Sequence, residues 1–154
     1  MLETPHVIVG AAIATKVLNP ALSLPLALGS HFILDQILHW NPHTYTETKK
    51  LGHPSKKSTI IVIIDSTLAL FSGLGIALLT FSDYSKAIIL ILACFLSALP
   101  DLVKSPFYYL NSKNKMIKKW VDIERKIQFQ TDNIFLGLLT QFLIVVAAFW
   151  WIFG

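Results

Sequence analysis

The chain has 154 residues, enough for one domain, and its composition indicates lipid rather than water around much of it. Hydrophobic residues make up 54% and charged residues only 14%, with a mean hydropathy of +0.60. Soluble domains carry about 25% charged residues, so an ordinary water-soluble fold is excluded. The net charge of +4 would suit a nucleic acid. However, the basic residues lie in particular loops that a membrane topology explains, so we expect no nucleic-acid partner.

Five apolar segments predict an all-α, multi-pass membrane domain that covers residues 1–154. The predicted helices cover residues 7–18, 22–39, 59–81, 85–99 and 133–153. Pro20, Pro42 and Pro100 end the first, second and fourth, because the residue before a proline avoids the helical conformation. The third and fifth are as long as a membrane-spanning helix. The first has only twelve residues, about 18 Å of helix, so it either spans or re-enters from one side.

The connection before the fifth segment predicts an amphipathic helix over residues 113–129. Its apolar residues fall mostly on one helical stripe, and lysines and acids occupy the remainder: Met116, Ile117, Trp120, Val121, Ile123 and Ile127 form the stripe. This pattern is typical of a helix that lies in the cytoplasmic membrane interface. Packing of the helix on the end of the bundle is the alternative.

The basic residues predict the orientation of the bundle. If the five segments cross alternately, the two lysine-rich connections lie on the side of the N-terminus and hold eleven of the thirteen Lys and Arg residues. The positive-inside rule then makes that side cytoplasmic and puts the C-terminus on the opposite side. An aromatic belt is expected at the opposite face, formed by Phe81, Tyr84, Trp150 and Trp151.

This topology collects ionisable residues from four helices in the cytoplasmic half of the bundle: His6, His31, Asp35, His39, Asp65 and Asp101. His31, Asp35 and His39 recur at intervals of four, which puts them on one helix face. Asp65 lies level with them in the third segment. A charge at the centre of a membrane helix costs about 2.5–3.5 kcal/mol on insertion scales, so Asp65 requires a nearby cation.

A bound divalent metal accounts for the whole set, because neutral imidazoles and carboxylates are common metal ligands. We expect zinc, with manganese or iron as alternatives. In the opposing interpretation, His31 and Asp35 form a structural pair through their i,i+4 spacing, and Asp101 merely ends the fourth helix. His43 and His53 are expected to be ordinary interfacial or loop residues.

Three short motifs resemble a known family. TPH at residues 4–6, SHFILD at 30–35 and LPD at 99–101 are similar to motifs of small bacterial inner-membrane proteins regarded as metal-dependent hydrolases, a family with a LexA-regulated member. The resemblance implies a bacterial inner membrane and four metal ligands: His6, His31, Asp35 and Asp101. The family's LPD motif usually continues to an Asp-His pair, whereas leucine and valine follow it here, and the family's histidine-rich segment is absent.

Three functional hypotheses follow. In the first, the chain is a membrane-embedded hydrolase whose metal acidifies a water molecule. Asp65 would orient a ligand or accept the proton of the water, with His39 as a second catalytic candidate at the rim. The nearby lysines favour an anionic lipid or phosphoester substrate, although amide hydrolysis needs the same groups.

In the second hypothesis, the chain binds or carries a metal or a proton without catalysis. Five short helices make a small transporter unless the chain forms a homo-oligomer. In the third, it is a structural membrane protein whose polar cluster only fixes the helix packing.

Overall fold

A computed structural model of the protein describes residues 1–80 and 82–154, and the all-α prediction is confirmed there. The helices of the described part are α1 (Glu3–Lys16), α2 (Pro20–Leu34), α3 (Thr44–Leu51), α4 (Lys56–Leu78), α5 (Tyr84–Tyr109), α6 (Lys115–Ile127) and α7 (Ile134–Phe153). Phe81, the expected end of the third apolar segment and a member of the expected aromatic belt, lies outside the described residues.

The helix α1 is the centre of the bundle and packs against α2, α4, α5 and α7. Nine of its fourteen residues are buried, and the sequence VIVGAAIA is apolar on every side. A helix without a polar face is stable only when other helices surround it. This central position brings the N-terminal end of α1 into contact with each of the outer helices.

Three of the described helices, α4, α5 and α7, are long and apolar enough to cross a membrane. Their outward side chains are large and apolar: Phe71 is 67%, Phe135 77% and Trp150 78% exposed. Water-soluble monomers rarely expose apolar patches of this extent. The outer surface of the bundle therefore fits contact with a lipid bilayer.

The second helix is shorter than predicted, since α2 ends at Leu34 and not at residue 39. The chain after it pairs with a distant loop: the Phe129 N–H donates to the Asp35 carbonyl at 2.8 Å, and the His39 N–H donates to the Phe129 carbonyl at 3.2 Å. These long-range hydrogen bonds replace the helical ones. His39 therefore lies in a loop and not on α2. The prediction that this helix extends to residue 39 was wrong.

The fourth helix is longer than predicted, because α5 continues through Pro100 and ends at Tyr109. A proline inside a helix removes one backbone hydrogen bond. Here Pro100 is buried, and its carbonyl accepts the indole N–H of Trp120 at 3.3 Å. The packing of α5 against α1, α2 and α6 compensates for the lost bond. Asp101 is consequently a residue inside α5 and not the residue that ends the helix.

The remaining predicted segments differ from α1, α4, α6 and α7 by at most four residues at either end. The short α3 was not predicted. On α6, Val121 and Glu124 are buried while Met116 is exposed. One face of the amphipathic helix therefore packs on the bundle, as the alternative interpretation expected.

Candidate functional site

One end of the bundle is polar, and the helix directions explain why. The helices α1, α4 and α7 begin towards this end, and α2 and α5 run towards it. Thr4 of α1 contacts Asp65 of α4, and the Leu2 N–H donates to Gln141 of α7. His31 of α2 contacts Ser97 of α5. Ionisable side chains that are less than a tenth exposed collect here: His6, His31, Asp35, His39, Asp65, Lys104 and Glu124.

Asp35 lies at the centre of three histidines. Its Oδ1 is 3.4 Å from Nε2 of His6 and 3.9 Å from Nε2 of His39. Its Oδ2 is 3.5 Å from Nε2 of His31 and accepts a hydrogen bond of 3.0 Å from the Gln128 amide. The structure thus brings three of the predicted site residues around the carboxylate of a fourth, Asp35, with His39 arriving from the loop.

Backbone carbonyls orient two of the histidine rings. The Nδ1–H of His31 donates to the Ser97 carbonyl at 2.8 Å, and the Nδ1–H of His39 donates to the Ile37 carbonyl at 2.7 Å. With the proton on Nδ1, the Nε2 lone pair is free, which is the usual state of a metal-ligating histidine. Burial lowers the pKa of His39 to about 4, so this ring is neutral near pH 7. Its buried Nε2 has no hydrogen-bond partner among the described residues.

Nε2 of His31 faces three carboxylates. It lies 3.1 Å from Oε1 of Glu124, 3.5 Å from Oδ2 of Asp35 and 3.9 Å from Oδ1 of Asp101. With only the Nδ1 proton present, a lone pair would point at these anionic oxygens. Either a second proton or a metal ion must therefore lie between the ring and the carboxylates.

Within the described residues, two groups of potential ligands lie close enough together to hold a metal ion. The first contains His6, His31 and Asp101, the second contains His31, Asp35 and Glu124, and the ligand atoms of each group lie within 4.8 Å of one another. Both groups need Nε2 of His31, whose single lone pair can bind one ion. The groups therefore describe alternative positions of one ion in the same cluster.

Two ammonium groups balance part of the negative charge. Lys104 forms an ion pair with Asp101, and its Nζ is 2.6 Å from Oε2 of Glu124. The amino group of Met1 forms an ion pair with Asp35. Buried charges are costly unless they are paired in this way. A metal ion would compete with both ammonium groups for the same carboxylates.

Asp65 contacts the N-terminus of α1, and its predicted catalytic role stays a prediction. Its carboxylate accepts hydrogen bonds from the Glu3 N–H at 2.5 Å, the Thr4 N–H at 3.2 Å and the Thr4 hydroxyl at 2.7 Å. Asp65 therefore caps the N-terminus of α1, where the helix dipole also favours a negative charge. These donors replace the cation that the sequence led us to expect, and Asp65 belongs to neither ligand group.

Sequence reasoning missed Glu124 and Lys104. Ile117, Val121 and Glu124 follow one another at i, i+4 and i+7, so they share the face of α6 that packs on the bundle. A carboxylate in the buried stripe of an amphipathic helix is unusual, and that signal was available in the sequence. His43 and His53 lie outside the cluster: the side chain of His43 is 57% exposed, and His53 is an exposed loop residue.

A cavity of about 420 Å³ opens beside the cluster. Asp101, Glu124 and Lys104 form part of its wall, and Tyr45 and Arg125 line it further out. His6, His31 and His39 of the cluster lie behind the carboxylates of Asp101 and Glu124. A molecule in this cavity would reach the cluster through Asp101 and Glu124.

Comparisons with known proteins do not identify the chain. The resemblance of its TPH, SHFILD and LPD motifs to the inner-membrane hydrolases stays a prediction from the sequence. Protein-family models, curated proteins and solved structures were each compared with the chain, and none matches.

Proposed function

We propose that this chain is a membrane-embedded, metal-dependent hydrolase with one divalent ion bound in the cluster around Asp35. The observation that carries the proposal is the position of His31, whose ring is fixed by Ser97 so that its Nε2 faces Glu124 at 3.1 Å. A metal ion relieves this contact and uses the lone pair as a ligand.

The ligand distances fit such an ion. Zinc binds histidine nitrogen and carboxylate oxygen at about 2.0–2.2 Å in a tetrahedron, so neighbouring ligand atoms lie about 3.3–3.6 Å apart. In the group of His31, Asp35 and Glu124, Nε2 of His31 lies 3.1 Å from Oε1 of Glu124 and 3.5 Å from Oδ2 of Asp35, which is close to these values. Manganese and iron use the same ligand types. The donor set therefore favours zinc and accommodates either alternative.

Each residue then has a defined task. When bound, the ion supplies a Lewis acid that acidifies a water molecule. The Gln128 amide holds the Asp35 carboxylate in place, while His39, with its free Nε2, is available to accept a proton. Asp65 is a positioning residue, because it caps the helix that carries His6.

The membrane orientation is part of the proposal. The alternating directions of α1, α2, α4, α5 and α7 put the cluster on the side of the lysine-rich connections, which the positive-inside rule assigns to the cytoplasm. The C-terminus then lies on the opposite side. The amphipathic α6 would lie at the cytoplasmic interface while it supplies Glu124 to the cluster.

A phosphoester or lipid headgroup is the substrate class we favour. The guanidinium of Arg125 lines the cavity and lies 4.2 Å from the ring centre of Tyr45. It forms no ion pair with a carboxylate in the part of the chain that the structure describes. An unpaired guanidinium beside a metal site suits a phosphate oxygen.

A structural cluster is the second candidate function. The ion pairs of Lys104 with Asp101 and Glu124 favour it, because one ammonium group already pairs with two of the carboxylates without a metal. A metal or proton carrier would use the same residues without hydrolysis.

Metal content separates these candidates. The full chain is purified in detergent, loaded with zinc and dialysed, and its metals are quantified for the wild type, His31→Ala and Asp35→Ala. His53→Ala is the matched control, since it removes an imidazole outside the cluster. We expect one zinc per chain in the wild type and in the control, and an affinity at least 100-fold lower in the two cluster variants.

A wild type that binds no metal would overturn the proposal in favour of the structural cluster. Hydrolysis of bis(p-nitrophenyl) phosphate and of a peptide library is then measured with the zinc-loaded chain. Stoichiometric zinc without turnover of either substrate indicates a carrier. Turnover that survives Asp35→Ala would contradict the mechanism.

A further inference from the structure

The polar cavity adjoins an apolar crevice between α4 and α5. The crevice has a volume of about 280 Å³, and Glu3, Ser66 and Leu102 line both spaces. Apart from Glu3 and Ser66, its walls are almost wholly apolar. A single molecule with one polar and one apolar end can therefore occupy both spaces at once.

Small residues create the crevice. Ala69 and Gly73 of α4 face Cys94 and Ala98 of α5 across it. A Cβ atom on Gly73 would lie 3.1 Å from Cγ1 of Val7 and 3.3 Å from Sγ of Cys94, so the floor is closely packed. Both helices are candidate membrane spans. The crevice consequently lies at the depth of the lipid acyl chains, and an acyl chain can enter it sideways from the bilayer.

The polar end offers a binding group for an anion. Arg125 follows Glu124 directly on α6, so one turn of helix presents both a cluster carboxylate and a guanidinium to the cavity. The ring of Tyr45 holds the guanidinium by a cation–π contact. The guanidinium is accessible to solvent and retains its donors for a ligand.

We propose that the substrate is a phosphate-bearing amphiphile, with its phosphate against Arg125 in the cavity and an alkyl tail in the α4–α5 crevice. The reaction assigned to this substrate rests on the proposed function, whereas its binding does not need the metal. Because Glu3, Ser66 and Leu102 line both spaces, the adjacent crevice favours a lipid over a free phosphoester, which has no tail to place there. The tail enters from the bilayer between α4 and α5.

Retention of a single-tailed lipid tests this assignment. The full chain in mild detergent is incubated with oleoyl lysophosphatidic acid and analysed by native mass spectrometry. Monoolein provides the tail without the phosphate, and excess inorganic phosphate competes as the phosphate without the tail. We expect the lysophosphatidic acid to be retained at one per chain, at least tenfold above monoolein, with little displacement by inorganic phosphate.

Variants locate the bound lipid. Ala98→Phe fills the crevice, and Leu74→Trp narrows it from a side chain that is already part-exposed. Gly75→Leu is the matched control, because a Cβ at that α4 position meets open space. Both crevice variants should lower retention about tenfold, and the control should not. Arg125→Gln should remove the preference over monoolein.

Equal retention in the wild type, Ala98→Phe and Leu74→Trp would overturn the inference, as would full displacement by inorganic phosphate. Zinc content is measured on the same samples to separate the two proposals. Crevice-dependent lipid binding in a chain that binds no zinc would support the lipid site and refute the hydrolase. A zinc-loaded chain with no crevice-dependent lipid binding would support the hydrolase and refute the lipid site.

Discussion

The Nδ1–H of His31 donates to the backbone carbonyl of Ser97 at 2.8 Å, and this bond joins the end of α2 to the middle of α5. Because the acceptor is a backbone atom, its position is set by the packing of α5 and not by a rotatable side chain. The ring orientation of His31 therefore depends on how closely α2 and α5 approach, and α1 packs against both of these helices.

Gly10 lets α1 pack closely on the turn of α5 that carries Ser97. A Cβ at this position would lie 2.6 Å from Oγ of Ser97 and 2.9 Å from the Ala93 carbonyl. Gly10→Ala should push α1 away from α5, lower the free energy of unfolding by about 1–3 kcal/mol as overpacked cores do, and weaken zinc binding. Chemical unfolding in detergent and chelator competition measure the two effects. Gly75→Ala should leave both unchanged, and unaltered zinc affinity in Gly10→Ala would show that α1 does not constrain His31.

Lys104→Met should destabilise the metal-free chain and tighten its zinc binding. Without the ammonium group, Asp101 and Glu124 are left as buried, uncompensated charges, which typically costs about 3–5 kcal/mol. Zinc then no longer competes with the lysine for the carboxylates. We expect a zinc affinity about tenfold higher, measured by chelator competition. Lys119→Met removes an exposed lysine of α6 and serves as the control; weaker zinc binding in Lys104→Met would contradict the competition.

Asp65→Ala should lower the free energy of unfolding by about 1–2 kcal/mol, the usual cost of losing a helix cap. Asp65→Asn keeps one acceptor oxygen and should recover part of that stability. Asp132→Asn, with a side chain that is 98% exposed, is the control. If phosphoesterase turnover survives in Asp65→Asn, Asp65 acts by positioning α1. A stable Asp65→Asn chain that binds zinc but has no turnover would instead restore its predicted role as a proton acceptor.

The junction between α3 and α4 should loosen in acid. Partial desolvation raises the pKa of Glu47. Hydrogen bonds from the N–H and hydroxyl of Ser55 and from the hydroxyl of Ser58 lower this pKa more, so it lies below its usual value. A carboxylate with a depressed pKa stabilises the fold above its ordinary pKa of 4.5. That contribution is lost as the pH falls through the lower, folded value.

Hydrogen exchange at residues 52–58 measures this effect. Protection in the wild type should decrease below about pH 4.5, whereas Glu47→Gln should be poorly protected at every pH. Protection in the wild type that does not change between pH 6 and pH 3 would contradict the assignment.

The sequence by itself determined the helical class and the presence of apolar helices long enough to span a membrane, and it predicted that His6, His31, Asp35 and Asp101 lie at one end of the bundle. These features depend on local quantities, namely the length of apolar runs, the 3.6-residue period and the alternation of helix direction. Each can be counted along the chain without knowing which helices touch.

Only the tertiary structure decided which groups complete the cluster. Glu124 enters it because α6 folds back onto α5, and Lys104 because α5 continues past Pro100. His39 joins from a loop held by Phe129. Asp65 is occupied by the N-terminus of α1. All these contacts join residues far apart in the chain, and they form because a buried polar group must find a partner wherever the packing offers one. Helical periodicity carries no information about such partners.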